Sequence, residues 1–163
     1  IETLVPTLFE EGKTPLLMVL DGVTDVRNFG AIARTCACAG ADALIIGTHG
    51  SVAINGDAVK TSAGALYHLP VCKVENMQNC LQFLRDSGFH VVAATEHATQ
   101  NYTEADMTAP TAIVMGSEEK GIYEGNLRIC SHQVRIPMSG VIESLNVSVA
   151  AGVMLYEAVR QRG

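Results

Sequence analysis

An α/β domain built on a parallel sheet is what these 163 residues predict. Short runs are apolar on both faces, as strands covered from both sides are, and helical stretches separate them, as parallel neighbours require. The length suits one domain with a sizeable core, and 48% apolar against 17% charged residues excludes a disordered or fibrous chain.

Residues 16–20, Leu-Leu-Met-Val-Leu, form a continuous apolar strand. Residues 28–40 read as a helix of small side chains closed by Gly40. A second strand covers 43–47, a short helix 57–66, a strand 70–74 and an amphipathic helix 77–86, stopped before Gly88. Residues 89–95 and 111–116 are two more buried strands. The polar stretch between them, with His97, Asn101 and Tyr102, reads as a long loop, a feature often functional in compact domains. A last strand spans 133–138 and a long terminal helix 144–162. From Leu145 to Val159 that helix is apolar almost all round, with Asn146, Ser148 and Glu157 as its main polar residues. A surface helix shows a polar face, so this one is either a central helix or one covered on its outer side by a second copy of the chain. No repeat, low-complexity segment or linker divides residues 1–163, which read as a single domain.

Eleven Lys and Arg against 17 Asp and Glu give a net charge of −6, which argues against binding nucleic acid by bulk charge. With no Trp, four Phe and four Tyr, no base-stacking platform is obvious. No apolar run approaches the roughly 18 residues of a membrane span. Residues 1–13 carry Glu2, Glu10 and Glu11 and no basic n-region, unlike a signal peptide. The five cysteines are odd in number, include no C-x-x-C and have apolar flanks, so they read as small buried thiols in a reducing compartment, the cytoplasm. On a helix Cys36 and Cys38 diverge by roughly 200° and cannot share a metal ion.

Ligands of open parallel sheets bind beyond the carboxyl ends of the strands, and three segments there carry unusual residues. The first runs from Asp21 to Arg34. In it Asn28 is a natural helix N-cap and Gly30 allows close backbone approach. Arg34 is the only charge between Asn28 and Gly40, and is either a snorkelling surface arginine or a guanidinium aimed at a phosphate or carboxylate. The second, Gly116-Ser117-Glu118-Glu119-Lys120-Gly121, is neither G-x-G-x-x-G nor a P-loop. It is either an ordinary charged turn or a ligand loop approached through backbone. The third runs from Ile136 to Ser148. A strand ends at Pro137, a loop turns at Gly140, and Ser144 can cap the terminal helix. Asn146 and Ser148 then sit in its first turn, where they cap the helix or bind a ligand at its positive end.

Together these segments resemble the SpoU (TrmH) family of RNA ribose 2′-O-methyltransferases within the SPOUT superfamily. Its first motif, Asn then Gly then Arg, is matched by Asn28, Gly30 and Arg34. Its second, G-x-E-x-x-G, is matched by Gly116, Glu118 and Gly121. Its third, I-P-M-x-G-x-x-x-S-L-N-V-S-x-A, is matched from Ile136 to Ala150. The resemblance spans about 16–162, and the tail Leu155-Tyr-Glu-Ala-Val-Arg-Gln-Arg162 is most similar to the subgroup that methylates a guanosine of 23S rRNA.

The resemblance implies a parallel sheet with helices on both faces and a deep trefoil knot in the carboxyl part. It also implies a homodimer through the terminal helix and an active site shared between subunits. S-adenosylmethionine is the implied cofactor, without metal. Its implied holders are Thr95, Gly116, Ser117, Gly121, Ile136, Met138, Leu145 and Asn146. The implied reaction is attack of a ribose 2′-oxygen on the sulfonium methyl. Arg34 would grip the target phosphate, because a guanidinium stays protonated and is a poor base. Asn28, Glu118, Ser144 and Asn146 would shape the catalytic site. A tRNA ribose methyltransferase, a non-catalytic RNA-binding relative and an unrelated nucleotide-binding α/β domain are the competing readings. Two departures stand out. Val26 occupies a position where the family often has proline, and the small amino-terminal RNA-binding domain of many relatives is not among these 163 residues.

Overall fold

The computed structural model describes residues 1–49, 54 and 56–163. Strand β1 is Leu16–Asp21, β2 Ala43–Gly47, β3 Val71–Val74, β4 His90–Ala94, β5 Gln100–Asn101, β6 Thr111–Gly116 and β7 His132–Arg135. They form one seven-stranded sheet in the order β3-β2-β1-β6-β4-β7-β5, and every pairing is parallel. Helices α1 (Leu4–Glu10), α2 (Val26–Ala39), α3 (Gly56–Thr61), α4 (Met77–Asp86), α5 (Glu124–Leu127) and α6 (Val147–Gln161) complete it.

Period-two alternation along the strands divides the core. Leu16, Met18 and Leu20 of β1 point to the face covered by α2 and α6, where Phe29, Ile32, Met154 and Leu155 are buried. Leu17 and Val19 point to the other face and meet Val5 and Leu8 of α1 with Leu81 and Leu84 of α4. Helices on both faces are therefore required by strands that are apolar on both.

From β1 the chain winds outward through β2 to β3, then returns to build the other side. The order reverses beside β1, and β6 enters there, with Asp21 in register with Gly116. Such a reversal opens a crevice at the strand ends, where ligands of parallel sheets bind.

Several boundaries differ from the sequence reading, each for a local reason. Helix α2 is capped by Asp25, whose Oδ1 accepts from the Asn28 N–H at 2.9 Å, so Asn28 lies inside its first turn rather than capping it. Likewise α6 is capped by Asn146 and not by Ser144. The helix expected at 57–66 stops at Thr61, because Ala63 and Gly64 take positive φ of 54° and 83°, and a 3-10 turn at Ala65–Tyr67 follows. Strand β7 ends at Arg135, short of Met138. Within the expected loop, β5 pairs with β7, and an Asn101–Glu104 capping box holds a 3-10 turn. Helices α1 and α5 are short and lacked a clear period. Cys36, Cys80 and Cys130 are buried, and burial pushes their thiols up to about 12, 11 and 12. Cys38, expected to be buried, is exposed because it lies off the core-facing side of α2, and Cys72 is half-buried.

The carboxyl end is tied down. Glu157 is buried and its carboxylate accepts from Arg160 Nε at 2.7 Å and Gln161 Nε2 at 2.8 Å. Gln161 also bonds Ala105 and Met107 of the long loop. The Arg162 guanidinium donates to the carbonyls of Thr14 at 2.8 Å, Pro15 at 3.1 Å, Met107 at 2.8 Å and Ala109 at 3.0 Å. It thus staples the entrances of β1 and β6 together. Arg162→Ala should lower stability by about 2 kcal/mol, because these carbonyls lose charge-assisted donors, and Arg162→Lys should recover only part of it. Thermal melts of the two variants against the parent check this.

Candidate functional site at the strand ends

Asp21 closes β1 and organises the crevice. Its Oδ2 accepts from the Tyr123 N–H at 2.9 Å and from Asn126 Nδ2 at 2.9 Å, which draws the chain after β6 back over the end of β1. Between them lies the turn 117–121. The Gly121 N–H donates to the Ser117 carbonyl at 2.8 Å, the Lys120 N–H donates to Ser117 Oγ at 3.1 Å, and Gly121 sits at φ 66°. A Cβ on Gly116 would stand 2.2 Å from the Gly121 carbonyl carbon and 2.4 Å from the Ile122 nitrogen. Gly116 is therefore glycine because the turn folds its own backbone against it.

That turn projects Glu118 toward the start of α6. Glu118 Oε1 accepts from Asn146 Nδ2 at 2.8 Å and from the Val147 N–H at 3.0 Å. A carboxylate at this helix end is favoured by the dipole and satisfies a donor the helix leaves open. Asn146 uses both halves of its amide. Its Oδ1 accepts from the N–H groups of Ser148 at 3.0 Å and Val149 at 3.4 Å, and from the Ser148 hydroxyl. Its Nδ2 donates to Glu118 and, at 3.0 Å, to Asn28 Oδ1 in the first turn of α2. Asn28, Glu118 and Asn146, more than 20 residues apart in every pairing, thus meet at one amide.

Other expected residues fall around this node. Strands β6, β4 and β7 are neighbours, so their ends deliver Gly116, Thr95 and Ile136 to one edge of the sheet. The Thr95 N–H donates to the Val134 carbonyl at 2.8 Å, extending the β4–β7 ladder. Ile136 packs partly buried against the α2–α6 core. Beyond it Met138, Val141, Ile142 and Leu145 stand exposed, Val141 at 96% and Ile142 at 76%. Ser144 is exposed and makes no hydrogen bond among the described residues. Arg34 is not brought to the amide node of its own chain. It lies six residues past Asn28 on α2, about 9 Å along the axis and a third of a turn round it. There it is exposed, without a hydrogen bond or ion pair among the described residues, in an open groove beside Ser62 and Tyr67. Asp21 and Asp25 organise the site but were not singled out. Their signal was position, since each ends an element just before a turn or helix. Among the described residues no three His, Cys, Asp or Glu side chains gather as a metal site.

Comparisons with known proteins agree on a family. Residues 15–156 match the model of the SpoU rRNA Methylase family. A 23S rRNA (guanosine-2′-O-)-methyltransferase RlmB of Yersinia pestis is 41% identical over 159 residues, 98% of this chain and 65% of that protein. Its counterpart in Ralstonia nicotianae is 45% identical over 148 residues, 91% of this chain and 59% of that protein. The chain thus spans a little under two thirds of the length of these relatives. Among solved structures, the SpoU methyltransferase AviRb from Streptomyces viridochromogenes in complex with the cofactor AdoMet superposes with a TM-score of 0.85 at 32% identity, covering 92% of this chain and 58% of that one. An RNA 2′-O ribose methyltransferase superposes at 0.82 with 34% identity, covering 91% and 57%.

Replacing Asn146 by Asp removes both donor bonds and sets a second carboxylate against Glu118. One of the two acids is then held above its ordinary range in the folded state only. Well below about pH 4 both are protonated in either state and the repulsive penalty is absent; it grows as pH rises from the unfolded values near 4 up through the raised folded value. Asn146→Asp should therefore show a melting deficit that widens from pH 4 to 7. A deficit independent of pH would remove the Asn146–Glu118 contact.

Proposed function

This chain belongs to the SpoU rRNA Methylase family, and from that premise we propose that it methylates the ribose 2′-hydroxyl of a guanosine in 23S rRNA, using S-adenosylmethionine. The observation that carries the reading is the meeting of three distant motifs at the Asn146 amide, in the crevice where the strand order reverses.

The residues present fit the cofactor. An adenosine needs an apolar wall and backbone partners: Met138 and Leu145 are exposed apolar side chains in the segment that leaves β7, and the neighbouring strands β6, β4 and β7 end at Gly116, Thr95 and Ile136. Thr95, Gly116, Ser117, Gly121, Ile136, Met138, Leu145 and Asn146 would hold it. When bound, S-adenosylmethionine supplies a methyl group already activated by a sulfonium, which calls for no metal.

Asn28, Glu118 and Asn146 fix the loops that form the pocket, and Ser144, free of the helix cap, is available to the substrate. A ribose hydroxyl is weakly acidic and must lose a proton. Arg34 cannot accept it, since guanidinium stays protonated. Its role is to grip the target phosphate, whose oxygen takes the proton while the hydroxyl is held in position.

The uncovered side of α6 supports a homodimer. Val149 is 52% and Tyr156 49% exposed on a helix with few polar residues, and a second copy would cover them. The distance between Arg34 and the amide node of its own chain supports a site shared across that dimer. The reading includes a trefoil knot in the carboxyl part, supported by β7, which enters the sheet between two strands that precede it. Among the described residues no helix is long and apolar enough to cross a membrane, and a 23S rRNA substrate would be met in the cytoplasm.

Arg34→Ala should keep cofactor affinity within about twofold and lower single-turnover methylation of unmodified 23S rRNA by about a thousandfold or more. Arg34→Lys should rescue poorly, because an ammonium lacks the planar fork. Wild-type turnover in Arg34→Ala would take the residue out of the reaction. Light scattering should give a dimer at micromolar concentration, and Val149→Lys with Tyr156→Lys should split it; a wild-type monomer would overturn the shared site.

A further inference from the structure

Helix α2 carries a basic stripe of which the site described above uses only Arg34. Arg27, Gly30 and Arg34 are spaced i, i+3, i+7 and so share one face. Helix α3 crosses that face at Gly30, where a Cβ would stand 2.6 Å from Thr61 Cβ. The crossing leaves a groove on each side. One is lined by Arg27, Asp57, Lys60 and Thr61. The other is lined by Arg34, Cys38, Tyr67 and His68. Tyr67 stands 78% exposed on the 3-10 turn after α3, which follows the two positive-φ residues Ala63 and Gly64. Arg27, Arg34 and Lys60 are exposed and make no ion pair or hydrogen bond among the described residues. By contrast Lys13, Arg128 and Arg160 each pair with a carboxylate.

Among the described residues, this chain of net charge −6 keeps three cations without an ion pair and one open aromatic ring on a single face, with Asp57 the only acid lining either groove. Free cations in a row suit a polyanion, and an exposed ring beside them suits an unstacked base. We propose that the α2–α3 face is a track for single-stranded RNA, in which Arg27 and Lys60 hold backbone phosphates flanking the one gripped by Arg34, and Tyr67 stacks a base next to the target nucleotide. The proposal rests on the methyltransferase reading and extends it, because it assigns the substrate strand a path and a polarity-independent anchor. It also fits RNA better than a protein partner, since Arg27 and Arg34 are about 10 Å apart along the helix with the α3 crossing between them, a spacing a flexible phosphodiester backbone spans.

The test uses the dimeric protein and a fluorescein-labelled mixed-sequence RNA about twelve nucleotides long, single-stranded or annealed to its complement. Tyr67→Ala should weaken the single strand about tenfold and the duplex little, while Tyr67→Phe keeps wild-type affinity. Arg27→Ala with Lys60→Ala should weaken both and reduce the slope of log affinity against log salt by about two. Circular dichroism and S-adenosylmethionine calorimetry on each variant should match the parent, since all three side chains are exposed. Wild-type RNA affinity and salt slope in these variants, with methylation by the parent intact, would overturn the track and leave the methyltransferase reading standing. Equal loss on single strand and duplex in Tyr67→Ala would overturn the stacking role. A parent that neither binds S-adenosylmethionine nor methylates 23S rRNA would overturn the reading beneath it.

Discussion

The amide of Asn146 must face two ways at once, and the arrangement of the crevice follows from that demand. Its oxygen is committed to the open N–H groups at the start of α6, so its nitrogen can only point outward, to Glu118 and Asn28. Asparagine alone among small polar residues offers an acceptor and a donor pair on one rigid plane. Aspartate would cap the helix equally well but has nothing to donate. The start of α6, the first turn of α2 and the turn after β6 are therefore positioned relative to one another by one side chain. Asp21 repeats the logic in a single direction, accepting from both Tyr123 and Asn126 to hold the far end of the same turn.

Much of this architecture was legible in residue patterns. Continuous apolar runs gave β1, β2, β4 and β6 within a residue or two, because strands covered on both faces have no polar side to blur the signal. Helices α2, α4 and α6 were equally visible, α2 by its small side chains and closing glycine, α4 by its amphipathic period and α6 by its length. What escaped was decided by tertiary contacts. A two-residue strand such as β5 exists only because β7 lies alongside it, and a single turn such as α5 is too short for a period. The caps were misplaced by two or three positions for a related reason. Asp25 and Asn28 are both good capping residues, as are Ser144 and Asn146, and the choice depends on where the chain leaves the sheet.

The site was legible as three motifs but not as a geometry. Glu118 and Asn146 could be named from their spacing, yet their hydrogen bond spans 28 residues and has no local signature. Gly30 and Gly116 illustrate the same limit. Both were read as openings for a close approach, and both are, but the approaching atoms belong to the chain itself, to Thr61 and to Gly121 and Ile122. The low aromatic content pointed away from base stacking, and only the placement of Tyr67 on an outward turn gives one ring that prominence.

The position of β6 has a consequence for the order in which the molecule is made. Residues leave the ribosome from the amino end, so β1, β2 and β3 emerge and can pair well before residues 111–116 exist. Until then β1 has one unpaired edge, a row of open backbone donors and acceptors on a strand that is apolar up to Asp21. Strand β4, which will flank β6 on its other side, must likewise wait. The nascent chain thus carries a gap at the centre of its sheet from the emergence of β1 until that of β6. Helices α1 and α2, both made before β6, can cover the two faces of β1 while that edge waits, so the edge itself is the part left open.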